Sequence, residues 1–382
     1  MFGWPAKLMF RASWGKHRCA HLVYATLTLS LFAILWNMFL GHFLRQQKFY
    51  EYFTIPLFKN DNATESDYLF KNDSINPSDY MLKNDSPTES ATLVTSTCSP
   101  WHTLSTDPTL SGFIRNGNLF LTLEGDWWHQ ANYLTKTLPY GIKGSEQIIR
   151  QILIKTKSHM PAEIDSLQCK RCVVVGNGNS LRNSLLGAVI NKYNVVIRLN
   201  NAPVRGYEED VGNKTTLRIF YPESAIKDLA IENNPDTLFV LIPFKAVDVN
   251  WLKAILYNES NIVDGFWRKP ASINTLDPSK VRMLSPLYLQ QAVETLLHQP
   301  HSFYKAKSLW PTTGFLAITM ALNYCDEVDV AGFGYPLNQK NGLIHYYDQL
   351  KMAMVDTSVH NVTQEHVYLK KLQSTGIIRY LT

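Results

Sequence analysis

Between residues 20 and 44 the chain (AHLVYATLTLSLFAILWNMFLGHFL) carries no Lys, Arg, Asp or Glu. At 1.5 Å per residue such a run makes roughly 37 Å of helix, longer than the ~30 Å hydrocarbon core of a bilayer. Lys7, Arg11, Lys16 and Arg18 precede it without a single acid, and only Arg45 and Lys48 follow closely. That basic asymmetry predicts a type II orientation, with residues 1–19 a cytosolic tail, 20–44 a transmembrane signal-anchor and the rest in the lumen. A cleaved signal peptide has a shorter apolar core, about 7–15 residues, that ends in small residues. Here the run ends in Phe43-Leu44-Arg45. His21, Asn37 and His42 weaken the span, so a buried core helix is the competing reading. No second stretch of this kind exists, which excludes a multi-span protein.

Residues 45–97 read as a stem. They contain a polar duplication, SDYLFKNDS (66–74) and SDYMLKNDS (78–86), with a partial copy LFKND at 57–61. Repeat folds need units of about 20–50 residues to bury a core, and these units are shorter and polar. A duplicated tether is expected; an adhesive ligand is the alternative. Asn62, Asn72 and Asn84 open glycan acceptor patterns, meaningful only in the lumen. Pro87 weighs against the last of them.

Residues 98–382 are long enough for a sizeable core. Of the 382 residues 45% are hydrophobic and 18% charged, which excludes a wholly disordered chain. A net charge of +5 over this length names no nucleic-acid partner. Apolar runs Cys172–Gly176, Tyr193–Arg198, Thr215–Phe220, Thr237–Ile242 and Val328–Gly332 read as strands. Helical patterns fall at 146–158, 180–192, 286–298 and 313–324. Such alternation predicts an α/β fold: one Rossmann-like domain, its mostly parallel central sheet flanked by helices. Ligands of such sheets bind beyond the strand C-terminal ends, at the topological switch point.

Gly176-Asn-Gly178-Asn-Ser180 stands where the first strand ends and a helix is expected to open. Glycines there would let the backbone approach a ligand, and a helix N-terminus favours an anion. A plain tight turn explains the same residues. The dinucleotide fingerprint requires a third glycine where Leu181 stands, so a nicotinamide or flavin cofactor is not expected.

The stretch Cys169-Lys-Arg-Cys172-Val-Val-Val-Gly-Asn-Gly178 continues through Arg198-Leu-Asn-Asn-Ala-Pro203, Asp210-Val-Gly-Asn-Lys-Thr-Thr216 and Tyr221-Pro-Glu-Ser224. It closely resembles the large sialyl motif of animal sialyltransferases. Pro311-Thr-Thr-Gly314, with Cys325 and Gly332-Phe-Gly-Tyr-Pro336, is similar to the small motif. His345-Tyr-Tyr347 resembles motif III, and His360 with Glu365 resembles the His-x4-Glu very small motif. The likeness covers roughly residues 98–382 and is greatest to the β-galactoside α2,3-sialyltransferases acting on lactosamine-type chains. It implies a GT-A-like catalytic domain in the Golgi lumen, with CMP-sialic acid as donor. Galactose-terminated glycoprotein or glycolipid glycans would be the acceptors, sialylated at the 3-hydroxyl with inversion. A different linkage or acceptor (α2,6 or ganglioside-directed), and a non-catalytic glycan-binding protein on the same fold, are the alternatives.

The resemblance also assigns roles. His360 is the expected general base, an imidazole titrating near working pH; a capping histidine is its bland alternative, and Glu365 is expected to orient or cap locally. His345 is expected to donate to the departing phosphate; a core histidine beside Tyr346 and Tyr347 is the other reading. Asn177 and Asn200 are expected on the donor nucleotide, with Ser180 at a loop position where some relatives carry Asn. Thr313 and Gly314 are expected at the donor, behind a Thr312 cap. The implied disulfides are Cys172–Cys325 and Cys98–Cys169, with Cys19 free. The pattern Cys169-x-x-Cys172 could also read as zinc or redox, but no second such pair exists. No Asp-x-Asp occurs, and a monophosphate leaving group needs less charge neutralisation, so no metal cofactor is expected. Further glycan acceptor patterns begin at Asn213, Asn258 and Asn361.

Overall fold

The computed structural model describes residues 98, 110, 113, 115, 119–125, 131–297, 309–336, 339–354 and 359–382. The expected anchor, the stem and its three acceptor sites lie outside the described residues. Among those described, no helix is long and apolar enough to cross a membrane.

Among the described residues, seven strands form one sheet: β1 (Arg171–Val175), β2 (Val195–Leu199), β3 (Leu217–Phe220), β4 (Leu238–Leu241), β5 (Val281–Met283), β6 (Glu327–Ala331) and β7 (Arg379–Tyr380). Their order is β5-β4-β3-β2-β1-β6-β7, and every pairing is parallel. The first five strands step outward from β1, and β6 then returns to its other side. The switch point therefore lies at the C-terminal ends of β1 and β6. Parallel sheets are covered on both faces, which explains the Val-rich, nearly continuous apolar runs. In β1, Cys172 and Val174 enter one core cluster, whereas Val173 and Val175 enter another on the opposite face.

The main helices are α1 (Glu146–Lys155), α2 (Ala246–Leu256), α3 (Pro286–Gln291), α4 (Thr313–Tyr324) and α5 (Val362–Ser374). The expected helix at 286–298 is present as α3, which runs on into a π turn at Ala292–Leu296. The helix expected over 180–192 is not continuous. A 3-10 turn (Asn179–Leu181) and one α turn (Gly187–Ile190) replace it. Asn183 and Leu185 adopt φ of 62° and 56°. Their amides are drawn off by the Asp210 carboxylate, at 2.8 and 3.0 Å. A side-chain acceptor from a distant segment has thus displaced the local ladder.

Both expected disulfides are present: Cys172–Cys325 with Cα atoms 6.0 Å apart and Cys98–Cys169 at 5.6 Å. The first joins the start of β1 to the end of α4 across 153 residues of sequence. A closed loop of that size contributes roughly 4–5 kcal/mol in the chain-entropy treatment.

Candidate active site

The glycines of the β1 loop answer to another backbone. Gly176 N–H donates to Ala331 O (2.7 Å) and Gly178 N–H to Gly332 O (2.8 Å). A Cβ at Gly176 or Gly178 would stand 2.4 or 2.5 Å from the Gly332 carbonyl oxygen. The loops after β1 and β6 cross in direct contact, which corrects the expectation that these glycines make room for a ligand. Nor is a long helix there to offer its N-terminus.

Around this crossing stand asparagine amides. The Oδ1 atoms of Asn177, Asn179 and Asn200 are buried and have no hydrogen-bond partner among the described residues. A buried polar atom left unmade costs about 1–3 kcal/mol. Three such atoms stand near the ends of β1 and β2. Asn200 is held there by force: its φ is 54°, and its carbonyl takes 2.8 Å from the guanidinium of Arg218. Arg218 is fully buried, and burial lowers its pKa to about 10 without discharging it. The neighbouring Arg198 is buried in the same way, its Nη2 donating to the Val211, Gly212 and Lys214 carbonyls.

The segment 344–347 lies alongside the β1 loop. Asn179 N–H donates to Ile344 O (3.2 Å), and Tyr346 N–H to Asn177 O (3.1 Å). His345 is thereby fixed next to the amides. Its Nδ1 bonds Asp348 Oδ2 at 2.8 Å, and its ring stacks on Tyr347 at 4.9 Å. Asn177 Nδ2 donates to the Tyr347 hydroxyl (3.4 Å). The buried tyrosine is Tyr346, whose hydroxyl donates to Pro203 O; His345 itself is only partly buried.

A second group gathers where α4 begins. Thr312 caps the helix by accepting from Phe315 N–H at 3.0 Å. Thr313 is buried in its first turn, and Gly314 leaves room for the Phe333 ring, which would stand 2.9 Å from a Cβ there. The same ring lies against Gly176, so one aromatic ties the β1 loop to the α4 N-terminus. Just before the cap, Trp310 O accepts from His360 Nδ1 at 2.7 Å. A carbonyl can only accept, so Nδ1 carries the proton and the neutral ring has its lone pair on Nε2.

Glu365 does not cap its own helix. That place is taken by Asn361, which accepts from Gln364 N–H (3.3 Å). The Glu365 carboxylate instead reaches 53 residues back to Thr312, accepting from its N–H at 2.8 Å and its hydroxyl at 2.5 Å. Burial raises its pKa to about 7 against the lowering effect of those two bonds.

Of the expected residues, Asn177 and His345 lie on adjoining segments beside the β1 loop, Asn200 follows the neighbouring β2, and Thr313, Gly314 and His360 lie at the start of α4. Ser180 is exposed and bonded to the Thr382 hydroxyl (3.1 Å). The adjacent Asn179, which sequence reasoning passed over, carries the orphaned amide oxygen. Among the described residues, the sole group able to hold a metal is Cys98, Cys169 and Glu327, and both its sulfurs are tied in a disulfide.

The sequence profile of glycosyltransferase family 29 (sialyltransferase) matches residues 121–377. This chain belongs to that family. The human CMP-N-acetylneuraminate-beta-galactosamide-alpha-2,3-sialyltransferase 4 is 49% identical over 271 residues, covering 71% of this chain and 81% of the relative. The rat CMP-N-acetylneuraminate-beta-1,4-galactoside alpha-2,3-sialyltransferase is 45% identical, over 64% of this chain and 66% of its own length. Among solved structures, a mammalian sialyltransferase matches with a TM-score of 0.55 and 27% identity, covering 72% of this chain and 94% of that one. A second, in complex with Gal-beta-1-3GalNAc-ortho-nitrophenol, matches with a TM-score of 0.55 and 26% identity. Family 29 membership makes the chain a sialyltransferase, and the sheet edge just described is where its motifs converge.

Proposed function

We propose that the protein transfers sialic acid from CMP-sialic acid to the 3-hydroxyl of a terminal β-linked galactose, with inversion. The observation that carries the mechanism is the His360–Trp310 bond, 2.7 Å from ring nitrogen to carbonyl. It leaves Nε2 as the basic atom of a ring held just before the start of α4. In the reaction Nε2 takes the O3 proton of galactose while O3 bonds to the anomeric carbon of the sialyl group. The bond from that carbon to the phosphate oxygen breaks, and CMP departs with the electron pair. His345, its ring oriented by Asp348, stands beside the β1 loop to donate to the phosphate as charge develops. Asn177, Asn179 and Asn200 supply amides for the nucleotide, and Thr313 and Gly314 supply N–H groups at the start of α4.

The reading dispenses with a metal, since His345 and the helix end face a leaving group of modest charge. EDTA should leave turnover unchanged; a loss restored by Mn²⁺ or Mg²⁺ would refute that part. The α2,3 linkage and the β-galactoside acceptor rest on the names of the relatives and on the motif details. Transfer from CMP-sialic acid to a panel of galactose-terminated glycans, followed by linkage-specific sialidases, tests both. A product cleaved only by an α2,6-specific activity would replace the linkage. A GT-A-like domain lumenal to a Golgi anchor at 20–44 completes the proposal. The basic asymmetry around that run supports it, as do two disulfides that require an oxidising compartment. Protease protection of the catalytic domain in intact microsomes is the expected result.

A further inference from the structure

The sheet edge carries aromatics beyond those the motifs name. The Tyr221 and Phe244 rings, at the ends of β3 and β4, stand 5.7 Å apart. Phe244 stands 5.9 Å from Trp310, whose carbonyl holds His360. An arc of edge-on rings therefore leads from the proposed base toward β4, away from the amides. At its far end the chain after α2 returns to the same edge as Asp264-Gly-Phe-Trp-Arg-Lys269. Here Trp267 is 71% exposed.

This tryptophan does not ride on a loose tip. Arg268 Nη2 donates to Glu223 O in the turn after β3 (2.7 Å). Phe266 lies over Lys245 Nζ at 5.0 Å. Lys245 is itself clamped between the fully buried carboxylates of Glu223 (2.7 Å) and Asp248 (2.8 Å). Burial pushes the Tyr221 and Tyr347 hydroxyls up, and the charge of Arg268 acts on both in the opposite sense. The guanidinium thus stands near enough for its charge to act on both hydroxyls. With one Nη bonded to Glu223 O, Arg268 has no carboxylate partner among the described residues and keeps donors to offer.

We infer that Trp267 and Arg268 form an outer acceptor subsite, which receives the sugar on the reducing side of the galactose. The inference rests on the transfer reading above. A flat indole presented on a tethered segment suits the apolar face of a pyranose ring, and the guanidinium suits its hydroxyl or N-acetyl oxygens. Arg268 stands over the Trp267 ring at 5.6 Å and reaches Glu223 O, two residues beyond Tyr221, so the pair adjoins the arc of rings.

Kinetics on a graded acceptor series test it: methyl β-galactoside, a galactose-terminated disaccharide and a tetrasaccharide, at saturating CMP-sialic acid. In the wild type kcat/KM should rise from the monosaccharide to the disaccharide. Trp267→Ala should lose about tenfold on the two longer acceptors, through KM, with methyl β-galactoside turnover and donor KM unchanged. Trp267→Phe should recover most of the loss. An equal loss on all three acceptors, or none on the longer two, overturns the subsite. If the wild type turns over no galactoside, the transfer reading falls instead. Fluorescence quenching by the free disaccharide, present in the wild type and absent from W267A, then decides the subsite alone; quenching that survives in W267A overturns it.

Discussion

The two walls of the proposed site, the ends of β1 and β2 and the start of α4, satisfy their polar groups in opposite ways. At the ends of β1 and β2, Asn177, Asn179 and Asn200 keep buried amide oxygens without partners. Around the start of α4, Thr312, Glu365, Trp310 and His360 spend theirs on one another. On the proposed reading, the first is completed by the nucleotide. The second is built to hold one imidazole in one tautomer at one place. Removing a side chain from either wall should therefore show up in different measurements.

The largest effect is expected at the second wall. His360→Ala should lower kcat by about 10²–10⁴, the usual contribution of a positioned base. Its affinity for CMP in calorimetry should stay within about twofold. Loss of both together would mean that the walls are not separable. Next comes the pH dependence of Glu365. Its pKa in the fold is pushed up to about 7 by burial, against about 4.3 in an unfolded chain. The folded state therefore holds the proton more tightly. The resulting stability is complete below the unfolded value and is lost as pH rises through about 7. Denaturant unfolding should weaken by about 2–3 kcal/mol between pH 5 and 8, and Glu365→Gln should remove most of that fall. Asp248, raised to about 6 by burial, contributes in the same sense in both proteins. A slope unchanged in the variant would show that Glu365 does not titrate in this range.

Asn177→Ala probes the first wall and should weaken CMP binding about tenfold with little change in kcat at saturation. A change confined to kcat would place Asn177 with the chemistry rather than with the nucleotide. Smallest of all, Ser180→Ala should alter CMP affinity by less than about twofold, because its hydroxyl is exposed and engaged with Thr382. A tenfold loss there would move the donor across the loop from Asn179 to Ser180.

The same contrast governs what the sequence discloses. The buried strands of the sheet interior announce themselves, because both faces of Cys172-Val-Val-Val are covered and the run must be apolar throughout. β5 and β7 do not. They are short, and Arg282 within β5 is buried by spending its guanidinium on the carbonyls of His159, Ser279 and Val281. A charge at such a position reads as surface. Motif spacing brings out His345, His360 and the first-wall asparagines Asn177 and Asn200. It brings out Glu365 as well, but with a local role rather than its bonds to Thr312, 53 residues away, and it is silent on the break at Asn183–Leu185, which depends on Asp210 from another segment. It is silent too on Trp267, a residue that resembles no motif and draws its meaning from the edge it stands on.

One feature of the crossing between the β1 and β6 loops reaches further. Gly176 and Gly178 each leave less than the width of a methyl group to the carbonyl of Gly332, which itself takes φ of 71° and would press a Cβ to 2.4 Å from Leu181. These three positions are closed to any side chain, whichever glycan the enzyme serves. On the reading proposed above, a new acceptor preference arises on the opposite flank, at exposed side chains such as Trp267, while this crossing stays the same.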